Sequence, residues 1–324
     1  MFSELPKLFD RNFAIGFFLP AAILISISAL LLNQYIFTID ASNILKFDYL
    51  ITTTVLGLLS WVGGIVLLAV NRDIYRFMEG YGIYNPLKLF GWFEKRRYRN
   101  TLKEFEELER KYQACMAAGD EFPLKLEDKQ SRLAVRLADE FPDKEESLLP
   151  TPFGNALRSF ETFPLVMYGL DSIPAWGRLL AVVPNEYIEL INGARAHVDF
   201  WVNFGLVFVL LQIEYVGLVF STGGQLNWWI VGLWAVLGTI APLRATSSAR
   251  SWGHFVKSAF DVFSPKLREA LGIEQPKNRQ EEFEQWQNYS RALIYRSRDE
   301  LPELKKQSCP PKESLRERFF KKIW

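Results

Sequence analysis

The sequence predicts an all-α integral membrane protein with four transmembrane helices and a helical cytoplasmic region that includes a hairpin and a stalk. Three observations predict it. Four apolar runs of about membrane length are spaced along the 324 residues. Lys and Arg crowd alternate ends of those runs. The charged stretches between and after them carry apolar residues at helical spacing. The composition agrees: 49% hydrophobic and 23% charged residues at a mean hydropathy of +0.01 describe apolar blocks alternating with charged ones.

The first run is "FAIGFFLPAAILISISALLLNQYIF", residues 13–37, and the second "YLITTTVLGLLSWVGGIVLLAV", residues 49–70. The third is "FWVNFGLVFVLLQIEYVGLVF", residues 200–220, and the fourth "LNWWIVGLWAVLGTIAPL", residues 226–243. Crossing the hydrocarbon takes roughly 20 residues at about 1.5 Å each, so three runs reach that length and the fourth is marginal. The first run is longer than the apolar part of a signal peptide. Its best small-residue site, Ser26-Ile27-Ser28, lies inside it, so an uncleaved span is expected. Pro20 frees a carbonyl and bends this helix.

Orientation follows from the basic residues. Lys7 and Arg11 precede span one, Arg72, Arg76, Lys88, Lys95, Arg96, Arg97 and Arg99 follow span two, and Arg244, Arg250 and Lys257 follow span four. The links between paired spans hold only Lys46 and the uncharged "STGGQ". Both termini are therefore expected in the cytoplasm of a bacterial inner (plasma) membrane. The chain divides into an amino end (1–12), a transmembrane hairpin (13–70), a cytoplasmic region (71–199), a second transmembrane hairpin (200–243) and a cytoplasmic carboxyl region (244–324).

Within region 71–199, Asn85 and Pro86 supply a cap and a first-position proline. Tyr98, Leu102, Phe105, Leu108, Tyr112 and Cys115 make one stripe, Gly119-Asp120 breaks it, and a second helix runs from about Glu127 to Phe141. The pair forms a hairpin over about 86–141. Thr151-Pro152 starts the first of two aromatic helices over 151–183, which Pro164 and Gly169 are expected to break. Ser172 or Asp171 caps the second. From Pro184 no breaker precedes span three, so residues 184–199 form a stalk on a helix of about 36 residues, roughly 54 Å long. After span four, Trp252, Phe255, Val256, Ala259, Phe260 and Phe263 share a stripe, and Ser264-Pro265 is expected to restart a short helix ended by Gly272. "RQEEFEQWQNYSRALI" gives another amphipathic helix, and the tail ends in basic, aromatic "RERFFKKIW".

Four blocks carry a resemblance: "FAIGFFLPA" at residue 13, "NRDIYRFMEGY" at 71, "TPFGNALRSFE…YGLDSIPAWGRL" at 151 and "AFDVFSPKLREALGIEQP" at 259. On these the chain resembles a family of bacterial multi-span, four-helix inner-membrane proteins of uncharacterised function. The resemblance covers the whole chain and implies architecture but no chemistry.

Glu214 is the residue most worth locating. A carboxylate inside a span costs a few kcal/mol or more and is a functional candidate by default. Asp199, Asn203 and Glu214 fall within about 60° of one another on a helix, with Lys46 the lone outer cation. A cation site or a narrow pore entrance is the sharper reading. A protonated glutamate, or one paired with Lys46 near the headgroups, is the plainer one and is preferred. Arg72, Arg76 and Glu79 follow span two and suit a joint under the bilayer with stalk residues such as Glu186 or Arg195, or a contact to lipid phosphate. Arg158, Glu161, Asp171 and Arg178 lie close in sequence, and a structural joint is preferred there over a ligand pocket. The small-residue faces Thr53, Gly57, Ser60, Gly64 and Gly232, Ala235, Thr239 suit close helix packing.

The net charge of +1 excludes a global field for nucleic acid. Cys115 and Cys309 stand far apart and the two histidines, His197 and His254, are too few for a metal site, so no cofactor or metal is expected. Phosphate-loop, nucleophile-elbow and zinc-helix motifs are absent. The expected function is a non-enzymatic, membrane-anchored scaffold or signalling component. An oligomeric channel with Glu214 near its path is the alternative, and a lipid-head-group enzyme ranks third. Partners expected are the lipid bilayer, a cytoplasmic protein and a second copy of the chain, with no nucleic acid.

Overall fold

The computed structural model describes residues 10–37, 49–297 and 301. Lys7, Lys46, Cys309 and the basic tail lie outside the described residues. Those described form helices and connecting turns, with no β-strand among them, and four helices are long and apolar enough to cross a membrane.

The first run, α1, is α-helical at Arg11–Phe13 and Leu19–Leu32 and π-helical at Ala14–Phe18 and Asn33–Phe37. The first π turn stands just before Pro20, whose missing N–H cannot satisfy the turn beneath it. The second run, α2 (Tyr49–Glu79), continues past the apolar stretch through "NRDIYRFME". Gly80 ends it at φ +92°, where a side chain would collide with Pro150, so glycine is required.

Asn85 caps as expected, its side chain accepting from the Leu87 N–H, but what it starts is a 3-10 turn, Pro86–Phe90. The α-helix proper, α3 (Gly91–Ala118), follows it. Gly119 closes α3 in the left-handed conformation, and α4 (Leu124–Glu140) returns antiparallel to it, starting a little earlier than the periodicity indicates. Tyr98–Phe141 and Tyr112–Phe122 ring contacts, with centroids 5.4 and 5.3 Å apart, close the root and tip of this hairpin.

Thr151 caps α5 (Pro152–Tyr168) and Asp171 caps α6 (Ser172–Leu180). Pro164 does not break α5; Gly169 does. A helix tolerates an internal proline where packing holds it, and here Pro164 is buried in the body. The stalk and third run form one helix, α7 (Asn185–Ser221). The fourth run and the stripe after it form α8 (Trp228–Leu271), which passes through both Pro242 and Pro265. The expected restart at Ser264-Pro265 is therefore corrected. Ser264 is buried and its Oγ donates to Phe260 O at 2.5 Å, and Phe260, Phe263 and Leu267 hold both sides of the proline in the core. Asn278 caps the last helix, α9 (Arg279–Tyr295).

A single core joins α5 to α9, with Phe160, Leu170, Leu179, Phe260, Leu267 and Trp286 fully or almost fully buried. Gly169, at φ +77°, sits so close to Phe283 O of α9 that a Cβ would lie 2.5 Å from it. A second cluster joins α1 to α7 and α8 around Leu31, Leu211, Tyr215 and Trp234, and a third joins α1 to α2 around Phe13, Phe17 and Leu67.

Candidate functional site

The polar residues of the apolar helices gather where α1, α2 and α7 cross. Gly16 lets α1 press against α7: a Cβ there would meet Asp199 Cβ at 3.0 Å. Asn203 Nδ2 donates to Gly16 O at 2.9 Å, supplying the hydrogen bond that Pro20 cannot. Asp199, one turn earlier on α7, accepts from Asn71 Nδ2 at 2.9 Å and from the Tyr75 hydroxyl at 2.7 Å, both on α2. Arg195, one turn further along α7, stands 3.8 Å from its other oxygen. Asp199 and Asn203 are buried, so these bonds lock three helices in register. Oδ1 of Asn71 and Oδ1 of Asn203 are buried without a hydrogen-bond donor among the described residues.

Glu214 shares the face of Asp199 and Asn203 but lies higher on α7. Its Oε2 accepts from Ser28 Oγ on α1 at 2.5 Å. Of the expected companions of this carboxylate, Lys46 lies outside the described residues. Ser28 was visible in the sequence only as a small residue within the run.

Below α2 a second polar cluster forms, with partners other than those expected. Arg158 of α5 donates to the Tyr81 hydroxyl at 2.7 Å and pairs with Glu161 at 3.2 Å. Glu79 lies in the field of Glu161, Arg158 and Arg76. Burial, and then the Glu161 charge, push its carboxyl from 4.5 up to about 7, against the opposing pull of Arg158 and Arg76. Burial raises Glu161 as well, with Arg158 opposing. The expected pairing of Arg76 and Glu79 with Glu186 or Arg195 is thus replaced. Arg195 serves Asp199, and Arg76 lies 5.9 Å from the Tyr81 ring centroid. Arg72 is exposed. Asp171 and Arg178 do not join Arg158 and Glu161: Asp171 caps α6, and Arg178 donates to Pro174 O on its own helix.

A third network, missed in the sequence because its members lie on separate helices up to about 160 residues apart, ties the hairpin root to the body. Buried Glu94 accepts from Asn155 Nδ2 at 2.9 Å and pairs with Arg97 at 3.0 Å. Glu140 pairs with Arg250 at 3.0 Å, and Asp139 with Lys257 at 3.0 Å and His254 at 3.3 Å. His197 instead lines a half-open cleft of about 900 Å³ with Asp10, Arg11, Glu186 and Glu189. Among the described residues no three His, Cys, Asp or Glu side chains group as metal ligands.

The small faces divide. A Cβ added at Gly63 or Gly64 of α2 would lie 3.1–3.2 Å from Ala21, Ile25, Phe13 and Phe18 of α1, whereas one at Gly57, Gly232 or Gly238 would meet open space. A feature absent from the sequence reading is the run of exposed apolar side chains at Ile83, Tyr84, Leu89, Phe90, Trp92 and Phe93, directly after α2. Its signal was "PLKLFGWF", whose apolar residues fall outside the hairpin stripe.

No known family model matches the chain, and no curated protein or solved structure matches it. The arrangement itself is one of positioning. Asp199, Asn203, Glu214, Arg158 and Glu94 each engage a neighbouring element, which suits them to hold helices in place.

Proposed function

We propose that the chain is a membrane-anchored, non-enzymatic scaffold or signalling component of the inner membrane, with both termini and the helical body in the cytoplasm. The observation that carries it is the continuity of α7 and α8. Each runs unbroken from an apolar span into the core of the body, so the body is held rigidly at the bilayer. The basic residues after spans two and four favour the cytoplasmic side. The α3–α4 hairpin, rooted by Glu94–Asn155 and Arg250–Glu140, is the element offered to a soluble partner. Its outer surface exposes Met116, Leu124 and Val135 among charged residues.

Cross-linking in intact cells tests this reading. The full chain should capture a defined soluble protein, and a chain with residues 103–130 replaced by a short Gly-Ser turn should lose it while still fractionating with membranes. Equal capture by both chains, or a tag at residue 110 found outside the cell, overturns it. The channel alternative predicts a conductance in reconstituted bilayers that Glu214→Gln alters.

A further inference from the structure

We infer that residues 83–93 make a further contact with the membrane, beside the four long apolar helices: the segment lies in the headgroup layer of the inner leaflet without crossing it. Ile83, Tyr84, Leu89, Phe90, Trp92 and Phe93 are 53–95% exposed, six large apolar side chains within eleven residues. The fold leaves them bare. The face of α3 turned to the protein is the opposite one, carrying buried Glu94, Tyr98 and Thr101. A contiguous apolar patch of this kind marks a surface that something other than water covers.

Position selects the cover. Leu87 and Phe90 line one apolar groove together with Phe77 near the end of α2, Trp201 and Val202 at the start of the third run, and Leu243 at the end of the fourth. The segment is thus folded back against the place where α2, α7 and α8 leave their apolar runs. Phe77 is 51% exposed, Leu243 68% and Phe90 53%, so the uncovered apolar surface of the runs passes onto the segment without a break. If acyl chains meet the runs, the adjoining headgroup layer meets residues 83–93.

The residue types suit that depth. Tyr84 and Trp92 each carry a polar tip on an apolar body, as side chains at a membrane–water boundary do. From Gly80 to Tyr98 the only acid is Glu94, which is buried with Asn155 and Arg97. The exposed charges of that stretch are cations: Lys88, Lys95 and Arg96. The Arg96 guanidinium lies 5.5 Å from the Trp92 ring centroid, so cation and aromatic share one surface, and Arg244 stands at the same distance from Trp201 at the start of the third run. Apolar and aromatic side chains edged by cations make up the segments that lie on bilayers. A soluble partner or a second copy of the chain would place no such ban on exposed carboxylates.

The inference rests on the membrane reading above, and the test separates the two. Cys115→Ser and Cys309→Ser remove the native thiols. Single cysteines are then introduced by Tyr84→Cys, Leu89→Cys or Phe93→Cys, each leaving five of the six exposed apolar side chains in place. Leu58→Cys in the second run and Arg110→Cys on the hairpin serve as references. Each full-length chain is spin-labelled and reconstituted into vesicles of phosphatidylcholine and phosphatidylglycerol in equal amounts. The label is probed by collision with oxygen, which concentrates in hydrocarbon, and with a nickel chelate, which stays in water. Oxygen should dominate at residue 58 and nickel at residue 110. The labels at 84, 89 and 93 should favour oxygen, at a shallower depth than the label at 58. A nickel preference at 58 overturns the membrane reading and the inference together. Oxygen at 58 with nickel at 84, 89 and 93 overturns the inference alone. So does protection of those three sites from both reagents, the mark of a soluble partner or a second copy of the chain.

Discussion

The apolar side chains of the helical body and those of the four long runs face in opposite directions. In the body, Leu170, Leu179 and Phe260 have no exposure and Trp286 only 1%. In the runs, Leu30 is 69% exposed, Leu58 59%, Val66 55% and Ile213 64%. The second run buries only 17% of its most apolar window, although it is as apolar as any core. The body obeys water, which drives apolar surface inward. The runs leave apolar outer faces uncovered, the pattern expected of helices that would cross a bilayer, while packing and polar contacts hold their inner faces together. The hydrogen bonds Ser28–Glu214 and Asn203–Gly16 lie on these inner faces.

The largest break in this comparison is expected from Phe160→Ala. It opens a cavity in the body and should cost about 3–5 kcal/mol, read as a lowered melting temperature in detergent micelles. Asp199→Ala should come next. It strands the Asn71 amide and the Tyr75 hydroxyl, each at about 1–3 kcal/mol, and the same melting measurement should show the loss. Asp199→Asn, which keeps an acceptor, should recover part of it.

Glu79→Gln sharpens the contrast through pH. Folding raises the carboxyl from 4.5 to about 7, so the folded state holds the extra proton between those values. Wild-type stability should therefore fall as pH rises through about 7, by about 1 kcal/mol once solvent screening of this half-buried group is allowed for. The variant should be the more stable protein at pH 8 and converge with wild type toward pH 5. A wild-type and variant pair with parallel melting curves from pH 5 to 8 would remove the assignment. The smallest effect is expected at Leu58→Ala. It removes as much apolar bulk as a core truncation, yet should change micelle stability by no more than about 0.5 kcal/mol. A core-sized loss there would mean that the outer face of α2 packs on protein.

Much of the frame was legible in advance. Helix length and apolar content along a single run identified the four long helices, and caps at Thr151 and Asp171 located α-helix starts, whereas the Asn85 cap opens a 3-10 turn ahead of α3. The prolines were less legible. Pro164 and Pro265 read as breaks and proved to be interior, because the buried neighbours of each turn hold the helix where propensity alone would end it. The partners of Glu79 were misplaced for a related reason. The stalk was expected because, like Glu79, it borders an apolar run, whereas α5 brings Arg158 and Glu161 to Glu79.

By itself the sequence determined which segments are helical, which are apolar enough to cross a bilayer, and which faces carry charge, since each follows from the side chains within one or two turns. Only the tertiary structure decided what each polar residue serves: Ser28 for Glu214, the Gly16 carbonyl for Asn203, Asn71 and Tyr75 for Asp199, Asn155 for Glu94. It alone also decided that α2, α7 and α8 leave a groove between them. Hydrogen bonds and close packing act over a few ångströms of space between residues dozens to nearly two hundred positions apart, and no periodicity along the chain encodes that distance.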